Sequence, residues 1–334
     1  MCPPTICAYN APARIDTRCS WDVWADASFI YWQPIEENLE LGILNSTALP
    51  TVEGVQGGFI NMKNNRYKPG FKVGLGMSFD HDNWDLKAEY TWFHIKQKTQ
   101  AQVTEIPGNI LSRRGTPDGQ GFAPDLYNIA NGKWKLGMDL VDLNLGRWCY
   151  IGTHLTFRPF VGVRGAFITQ RYNSVFINDG SVPGFGGVVD TMNVAETNHS
   201  WAVGPQMGLN TNWILGEGFR LFGNGSGDLL YTRYHKLGFK ETHTRTGTPA
   251  LQHIRQADVN SLRTHLDAIL GFGWGSYFDN NNWYFDMAFG YEFQVFFDQN
   301  NFRQFYSTAQ PAGSSNPNGN LYIHGLTATL QLDF

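Results

Sequence analysis

The residues that could carry acid–base chemistry in this chain are histidines that lie close to carboxylates in the sequence. His265 and Asp267 are two positions apart and would share one face of a strand, and His94 lies in another alternating segment. A hydrolytic triad also needs a nucleophile within hydrogen-bond reach of its base, and spacing alone does not supply one. Nine histidines are scattered along the chain. We therefore interpret His265 as a hydrogen-bonding residue of the interior, and we predict no enzyme activity, no metal site and no cofactor.

A larger set of charged residues alternates with apolar ones along several segments. Charged residues make up only 16% of the chain and aromatic residues 15%, whereas about 25% of residues in typical soluble domains are charged. Such a composition is typical of strands that turn one face to lipid and the other to a polar lumen. We predict that this lumen is lined by Lys72, Asp85, Lys87, Glu89, Lys133, Lys135, Asp139, Arg158, Arg164, Arg220, Arg263, His265, Asp267, Asp286 and Glu292.

Strands must position these side chains, and the segment Leu321–Phe334 shows the pattern clearly. Apolar residues such as Leu326 and Leu330 alternate with polar ones such as Thr327, so one face is apolar and the other polar. The segment ends on an aromatic residue, Phe334, as strands that close a membrane barrel at an aromatic girdle do. We predict that Phe334 is an assembly signal for the barrel assembly machinery.

The whole chain contains about ten such segments, joined alternately by short turns and long connections. Outer-membrane barrels have short periplasmic turns and long extracellular loops. The sequence therefore predicts an all-β fold, a transmembrane antiparallel up-and-down β-barrel of about ten strands, with twelve as the alternative. We place a periplasmic, cysteine-containing segment at 1–20 and the barrel at 21–334, in the bacterial outer membrane. The long connections are predicted near 33–66, 97–131, 172–198 and 299–319, with another between the strand that ends near His235 and the strand around Leu262.

The tryptophans fit two aromatic girdles. Trp84 and Trp92 are eight residues apart, or about 26 Å of extended strand, close to the roughly 25 Å apolar band of such barrels. The girdle beside the long loops is predicted to contain Trp32, Trp92, Trp134 and Trp201.

Some segments fit the alternation less well. The apolar residues of Trp134–Leu140 are predicted to face lipid, which requires one bulge near Val141 because the apolar parity changes there. Pro159 and Pro205 each remove a ladder hydrogen bond, so bulges are predicted at both. The glycines of Gly223–Gly227 would face lipid, which indicates either a tight contact between protomers or a further bulge.

Four cysteines occur, and no pair has zinc-ligand spacing. The predicted topology places all of them on the periplasmic side, where thiols can be oxidised. Buried free thiols and disulfides remain alternatives, and the disulfide candidates are Cys2, Cys7, Cys19 and Cys149. No signal-peptide pattern is visible in the opening residues, so we interpret the chain as lacking its export signal.

Three segments resemble the Legionella-type major outer membrane protein family, which has close relatives in chlamydia-related bacteria. They are Trp21–Gln33, Phe157–Ile168 and Gly325–Phe334, at the start, middle and end of the chain. The resemblance implies a pore-forming, abundant surface protein that is often disulfide-linked in the envelope and can be adhesive. It implies no catalytic residues.

We therefore expect a porin-like protein with a narrow diffusion pore for small hydrophilic solutes and with surface loops available for adhesion. The alternatives are a closed structural or adhesin barrel and, less favoured, an outer-membrane protease or phospholipase. The expected partners are outer-membrane lipid and lipopolysaccharide, the barrel assembly machinery, disulfide-linked envelope proteins and further copies of the chain. The net charge of −4 gives no reason to expect nucleic acid.

Overall fold

The structure is a computed structural model. It describes residues 13–17, 22–45, 57–62, 66–79, 82–103, 108–115, 126–181, 189–245, 248–256, 258–306, 313–315 and 318–334. Within these ranges, no helix is long and apolar enough to cross a membrane.

The regular elements of the described residues are strands. In chain order they are β1 (Val23–Glu36), β2 (Gly42–Asn45), β3 (Gly57–Ile60), β4 (Lys68–Ser78), β5 (Trp84–Gln102), β6 (Asn109–Ser112), β7 (Leu126–Tyr127), β8 (Ile129–Arg147), β9 (Cys149–Tyr150), β10 (Leu155–Asp179), β11 (Val189–Gly216), β12 (Phe219–Arg245), β13 (Thr248–Gln256), β14 (Val259–Phe278), β15 (Trp283–Asn300), β16 (Gln304–Tyr306), β17 (Gly313–Ser315) and β18 (Gly319–Asp333).

Ten of these strands form a closed antiparallel barrel. The order is β1, β4, β5, β8, β10, β11, β12, β14, β15 and β18, and β18 pairs again with β1. Phe334 and Val23 exchange backbone hydrogen bonds of 2.9 and 3.3 Å at the end of this seam, and the Phe334 ring lies 5.7 Å from that of Trp283. The predicted ten-stranded barrel is confirmed. Two further strands, β9 and β13, extend the same sheet outside the barrel.

Tight turns join the strands at the end of the barrel where Val23 pairs with Phe334. The β11–β12 turn consists of Glu217 and Gly218, whose φ values are +53° and +82°. Two positive φ values are typical of a type I′ turn, whose twist matches that of the flanking strands. The β14–β15 turn places Asp279, Asn280 and Asn281 at positive φ, which Asp and Asn tolerate better than most residues.

At the opposite end the strands extend far beyond one membrane thickness. Strands β10, β11 and β12 contain 25, 28 and 27 residues, and β10 pairs with β11 without interruption as far as Asp179 opposite Val189. The loop predicted at 172–198 is therefore wrong, since most of that segment is paired strand. The pattern misled because the outer face becomes polar beyond the lipid, where an apolar outer face is no longer required.

The outer face of strand β8 also changes from apolar to polar beyond the lipid, which explains where its apolar residues lie. Trp134, Leu136, Met138 and Leu140 are buried inside the barrel, so the prediction that they face lipid is wrong. The β5–β8 ladder has one continuous register from Trp84–Arg147 to Gln102–Ile129, and the predicted bulge near Val141 is absent from it. The apolar side chains change from the outer to the inner face of a regular strand.

The two prolines are accommodated by missing ladder bonds rather than by bulges. At Pro159 the neighbour of β10 changes from β8 to β9, with the same register on both sides. Opposite Pro205 the β11–β12 ladder lacks two residue pairs and resumes in register. Gly223–Gly227 also pairs with β14 without a shift, so a bulge there is wrong, while the predicted protomer contact stays a prediction. The β11–β12 register does shift between His199 and Ser200.

A small second sheet closes the long end of the barrel. Its strand order is β3, β2, β6 and β7, and we call this sheet with its flanking residues 37–41, 61–62 and 113–115 the cap. Leu41 and Met62 of the cap are buried in the same apolar cluster as Tyr172 of the barrel wall, and the Tyr172 hydroxyl donates to the Leu39 carbonyl at 3.3 Å. The apolar core therefore lies inside the barrel, beneath the cap.

Candidate functional site

The candidate functional site is the interior of the barrel, and its half nearest the tight turns is lined by ion pairs. Arg158 of β10 reaches across to Asp85 of β5, with Nε donating to both carboxylate oxygens at 2.8 and 3.0 Å. Its Nη1 donates to Asn210 of β11 at 3.0 Å. All three side chains lie on the polar parity of their strands, so the period-two pattern places them in the lumen.

A second arginine joins four strands. Nε of Arg164 donates to Asp142 at 2.5 Å, and Nη1 donates to Asp228 at 2.8 Å and to Asp267 at 3.0 Å. The same Nη1 lies 2.7 Å from Nδ1 of His265, which in turn lies 2.6 Å from Asp228. One guanidinium thus contacts three carboxylates.

This cluster also contains a set of side chains with metal-ligand chemistry. Ligand atoms of Asp228, His265 and Asp267 lie within 4.8 Å of one another. Nη1 of Arg164 is within 3.0 Å of an atom of each. Because the guanidinium already supplies the positive charge at the centre of the set, the arrangement fits an arginine-centred ion-pair network rather than a metal centre.

Lysines complete the charged lining. Nζ of Lys87 lies 3.1 Å from Asp26 and 2.7 Å from Glu89, while Arg220 pairs with Asp286 near the tight turns. These side chains are not fully covered: Lys87 is 27% and Glu89 20% exposed. The exposure indicates that the charged half of the lumen is accessible to water.

The charged half ends at a layer of large apolar side chains. Nζ of Lys72 bonds to Glu292 at 2.6 Å and lies 5.0 Å from the ring centre of Trp32. Trp32 is fully buried and its Nε1 donates to Thr327 at 3.1 Å. Nε1 of Trp134 similarly donates to Gln170 at 3.2 Å. We call this layer the plug, and its members include Trp32, Phe93, Trp134, Leu136, Met138 and Tyr172.

The cap is fixed to the plug by a buried arginine. Arg114 is fully buried, and its guanidinium donates to the carbonyls of Asn38, Glu40 and Arg303 and lies 3.4 Å from Glu196 of β11. It also lies 4.8 Å over the ring of Tyr172. The single cation therefore joins two cap segments to the barrel wall.

The structure sorts the predicted lining residues into two groups. Twelve have their side chains on the inner face: Lys72, Asp85, Lys87, Glu89, Arg158, Arg164, Arg220, Arg263, His265, Asp267, Asp286 and Glu292. The other three, Lys133, Lys135 and Asp139, lie on the outer face of β8, opposite in parity to its buried residues. Their predicted lumen position is wrong, because it followed from assigning the plug residues of β8 to lipid.

Other interior residues were not singled out from the sequence. Asp26 and Asp142 occupy the polar parity of their strands, so the alternation could have identified both. Arg114 and Glu196 lie in segments that were predicted as loops. Only the tertiary contacts of the cap reveal their role.

The outer girdle also differs from the prediction. Trp92 and Trp201 lie on the outer parity of β5 and β11, and Trp92 stacks on Phe71 with ring centres 5.5 Å apart. Trp32 and Trp134 are fully buried inside the barrel, so their assignment to the girdle is wrong.

The histidines considered for catalysis are separated by the barrel wall. His94 lies outside, where Nε2 is 2.9 Å from Asp139, while His265 lies inside. The nearby Ser226 hydroxyl donates to Asp267 at 2.7 Å, whereas His265 contacts Asp228. The serine and the imidazole are thus held by different carboxylates.

One predicted disulfide candidate can be placed. Cys149 is a free, half-buried thiol in β9, 3.4 Å from the Phe157 carbonyl. The N-terminal segment lies beside it, since the Ala13 amide donates to the carbonyl of Trp148 at 3.2 Å. Cys2, Cys7 and Cys19 lie outside the described residues.

The chain is similar to several solved structures at low sequence identity. The outer membrane protease OmpT from Escherichia coli is 12% identical with a TM-score of 0.40, over 97% of this chain and 99% of OmpT. The Pseudomonas putida toluene transporter TodX is 10% identical with a TM-score of 0.34, over 94% and 90%. A Pseudomonas aeruginosa FadL homologue is 8% identical with a TM-score of 0.28, over 93% and 89%. None of the curated protein sequences matches the chain.

The family comparison covers nearly the whole chain. The model of the family described as Legionella pneumophila major outer membrane protein precursor matches residues 16–334, which include all ten barrel strands. A closed barrel in this family is an integral protein of the outer membrane. The chain belongs to the Legionella pneumophila major outer membrane protein family.

Proposed function

We propose that the protein is a narrow, gated diffusion pore for small hydrophilic solutes, closed in the described conformation by the plug. The observation that supports this proposal is the division of the lumen into two unlike halves. Its half near the tight turns is charged and partly accessible, with Lys87 27% exposed. At the plug, Trp32 and Trp134 are 0% exposed.

The charged half supports a hydrophilic rather than an apolar solute. Its rings of Lys, Arg, Asp and Glu would exchange hydration water for ionic and hydrogen-bonding contacts, as the lining of a selective pore does. An apolar constriction can gate such a path by excluding water. Side chains can completely fill the interior of an eight-stranded barrel, and a ten-stranded barrel is only slightly wider. A small displacement of the plug therefore decides between an open and a closed lumen.

The cap supplies an element that could move the plug. Arg114 of the cap is buried, and it attaches the cap to Glu196 and to the Arg303 carbonyl outside it. Withdrawal of the cap would remove Leu41 and Met62 from the apolar cluster and expose the plug to water. The extracellular end of the barrel would then act as the gate.

A second candidate function is a closed barrel that displays surface segments for adhesion. The extent of the plug favours it, because buried apolar residues come from β1, β5, β8, β10, β11, β12, β15 and β18. A layer joining so many strands would also serve as a permanent core.

Conductance in planar bilayers distinguishes the two functions. We expect the unmodified protein to be mostly closed, and Trp32→Ala/Trp134→Ala to raise its open probability at least tenfold. The matched control is Trp92→Ala/Trp201→Ala. It removes two tryptophan side chains from the outer face and should leave the current unchanged. If the folded inner double variant carries no current, the pore is refuted in favour of the closed barrel.

A further inference from the structure

The outer face of the barrel carries a group of basic residues, four lysines and one arginine, above the aromatic girdle. Lys96 and Lys98 of β5, Lys133 and Lys135 of β8 and Arg171 of β10 all lie on the outer parity of their strands. Four of the five are exposed and Lys133 is half-buried. We call these five residues the cationic band.

Strand register places like charges directly opposite each other in the cationic band. Lys96 is paired with Lys135, and Lys98 with Lys133. Lys135 is also paired with Arg171 on its other side. Side chains opposite each other in an antiparallel pair have Cβ atoms about 4.5–5.5 Å apart, and like charges there are destabilising. The band therefore opposes folding unless an anion neutralises it.

The carboxylates on the same face do not supply that anion. Asp139 is held by the Tyr90 hydroxyl at 2.6 Å and by His94 at 2.9 Å. Asp179 lies eight residues beyond Arg171, at the end of β10. Among the ion pairs of the described residues, none includes a member of the cationic band, whereas the outward Arg233 is paired with Asp258 at 2.7 Å.

The height of the cationic band matches the headgroup layer. Lys96 is four residues beyond Trp92 on β5, which is about 13 Å along the strand and about 10 Å along the membrane normal for a strand tilted by roughly 40°. Tryptophans mark the membrane interface, and long lysine side chains can extend toward it. The band therefore lies where the phosphates of outer-leaflet lipids are found.

We propose that the cationic band binds the phosphates of lipopolysaccharide in the outer leaflet around the barrel. A headgroup with several phosphates can contact several cations at once, and lysine–phosphate contacts are strong charge-assisted hydrogen bonds. The site is independent of the lumen, so it holds whether the pore is open or closed. Lys135 is its centre, since it is paired with a cation on each side.

Thermal unfolding of the full chain in detergent micelles, with and without diphosphorylated lipid A, tests the proposal. The variants are Lys135→Gln and the fourfold Lys96→Gln/Lys98→Gln/Lys133→Gln/Lys135→Gln. The matched control, Arg233→Gln, removes one outward charge that already has a counter-ion. Heat-modifiable migration on gels reports whether each variant is folded.

We expect the substitutions to act differently without and with lipid A. Without lipid A, the fourfold variant should be as stable as the parent or more stable, because like-charge repulsion is removed. With lipid A, the parent should be stabilised, and the half-saturating concentration should rise about threefold for Lys135→Gln and at least tenfold for the fourfold variant. Arg233→Gln should stay within twofold of the parent.

Three results would overturn the proposal. Equal responses of Lys135→Gln and Arg233→Gln would indicate non-specific attraction between charges. Parental lipid A binding by the folded fourfold variant would remove the site altogether. Equal stabilisation by inorganic phosphate at the same phosphate concentration would assign the band to a free anion rather than to a lipid. If the fourfold variant does not fold, Lys135→Gln against Arg233→Gln decides.

Discussion

At the scale of single residues, Arg164 is the cation that three carboxylates of the lumen share. Its guanidinium contacts Asp142, Asp228 and Asp267, so Arg164→Leu would leave three carboxylates close together without their cation. Removing one partner of a buried ion pair typically costs about 3–5 kcal/mol. We expect a loss of that order in the free energy of unfolding, measured by urea titration of the refolded protein. Arg233→Leu should change little, because that pair is exposed and solvent screens it.

Lys87 tests the charge of the accessible half of the lumen. In the Trp32→Ala/Trp134→Ala background, Lys87→Gln leaves Asp26 and Glu89 without the cation that lies 3.1 and 2.7 Å from them. The lumen then becomes more negative, so we expect reversal potentials in a salt gradient to shift toward cation preference. Lys135→Gln in the same background is the control, because that lysine lies on the outer face. A shift of equal size in both variants would contradict the assignment of Lys87 to the conducting path.

At the scale of elements, the sequence predicted strands well within the membrane and poorly beyond it. A period of two identifies a strand wherever one face is apolar and the other polar, as in Trp84–Trp92. On β8 the apolar face changes sides at Leu140, and only knowledge of where the lipid ends distinguishes that from a bulge. On β10 and β11 the outer face beyond the lipid is polar, and the interior mixes Phe176 with Asn178. No single-period pattern remains there.

The position at which the outer face of β10 changes from apolar to polar can be measured. Val161 and Asn173 share the outer parity of the strand and both are exposed, but only Val161 lies within the apolar band. Val161→Arg should destabilise the barrel in lipid by about 2–4 kcal/mol if it lies at the midplane, while Asn173→Arg should have little effect. Urea titration in lipid vesicles measures both. Similar losses for the two variants would mean that the apolar band on β10 has been misplaced.

At the scale of the whole molecule, the apolar core lies inside the barrel, and the part of the barrel in the membrane is also apolar on its outer face. A soluble domain buries apolar residues between layers, whereas this barrel is apolar outside in the membrane and apolar inside above it. The sequence could indicate the first property from strands such as Trp283–Phe293, whose alternation is regular. The second depends on contacts between cap and wall that are distant in sequence, such as Arg114 with Glu196. Those contacts follow no local period.

The orientation of the molecule connects the fold to the cysteines. The tight turns and the Val23–Phe334 bonds lie at one end, together with Cys149 and the segment around Ala13, while Ser181 lies at the opposite end. Short turns are periplasmic in bacterial barrels, and that compartment is oxidising. Ala13 is hydrogen-bonded beside Cys149, which favours a disulfide between Cys149 and a cysteine of the N-terminal segment. Non-reducing electrophoresis of intact envelopes should show it, and four freely alkylated thiols in a monomer would contradict it.

Labelling of intact cells tests the orientation separately. With Cys2, Cys7 and Cys19 replaced by serine and the cells reduced beforehand, a membrane-impermeant maleimide should label Cys149 only after the outer membrane is permeabilised. In the matched variant, Cys149→Ser with Ser181→Cys, the new thiol at the cap end should be labelled on intact cells because Ser181 is exposed. Labelling of Cys149 from outside would invert the barrel. It would then place the cap and the cationic band on the periplasmic side, where no lipopolysaccharide leaflet is available to the five cations.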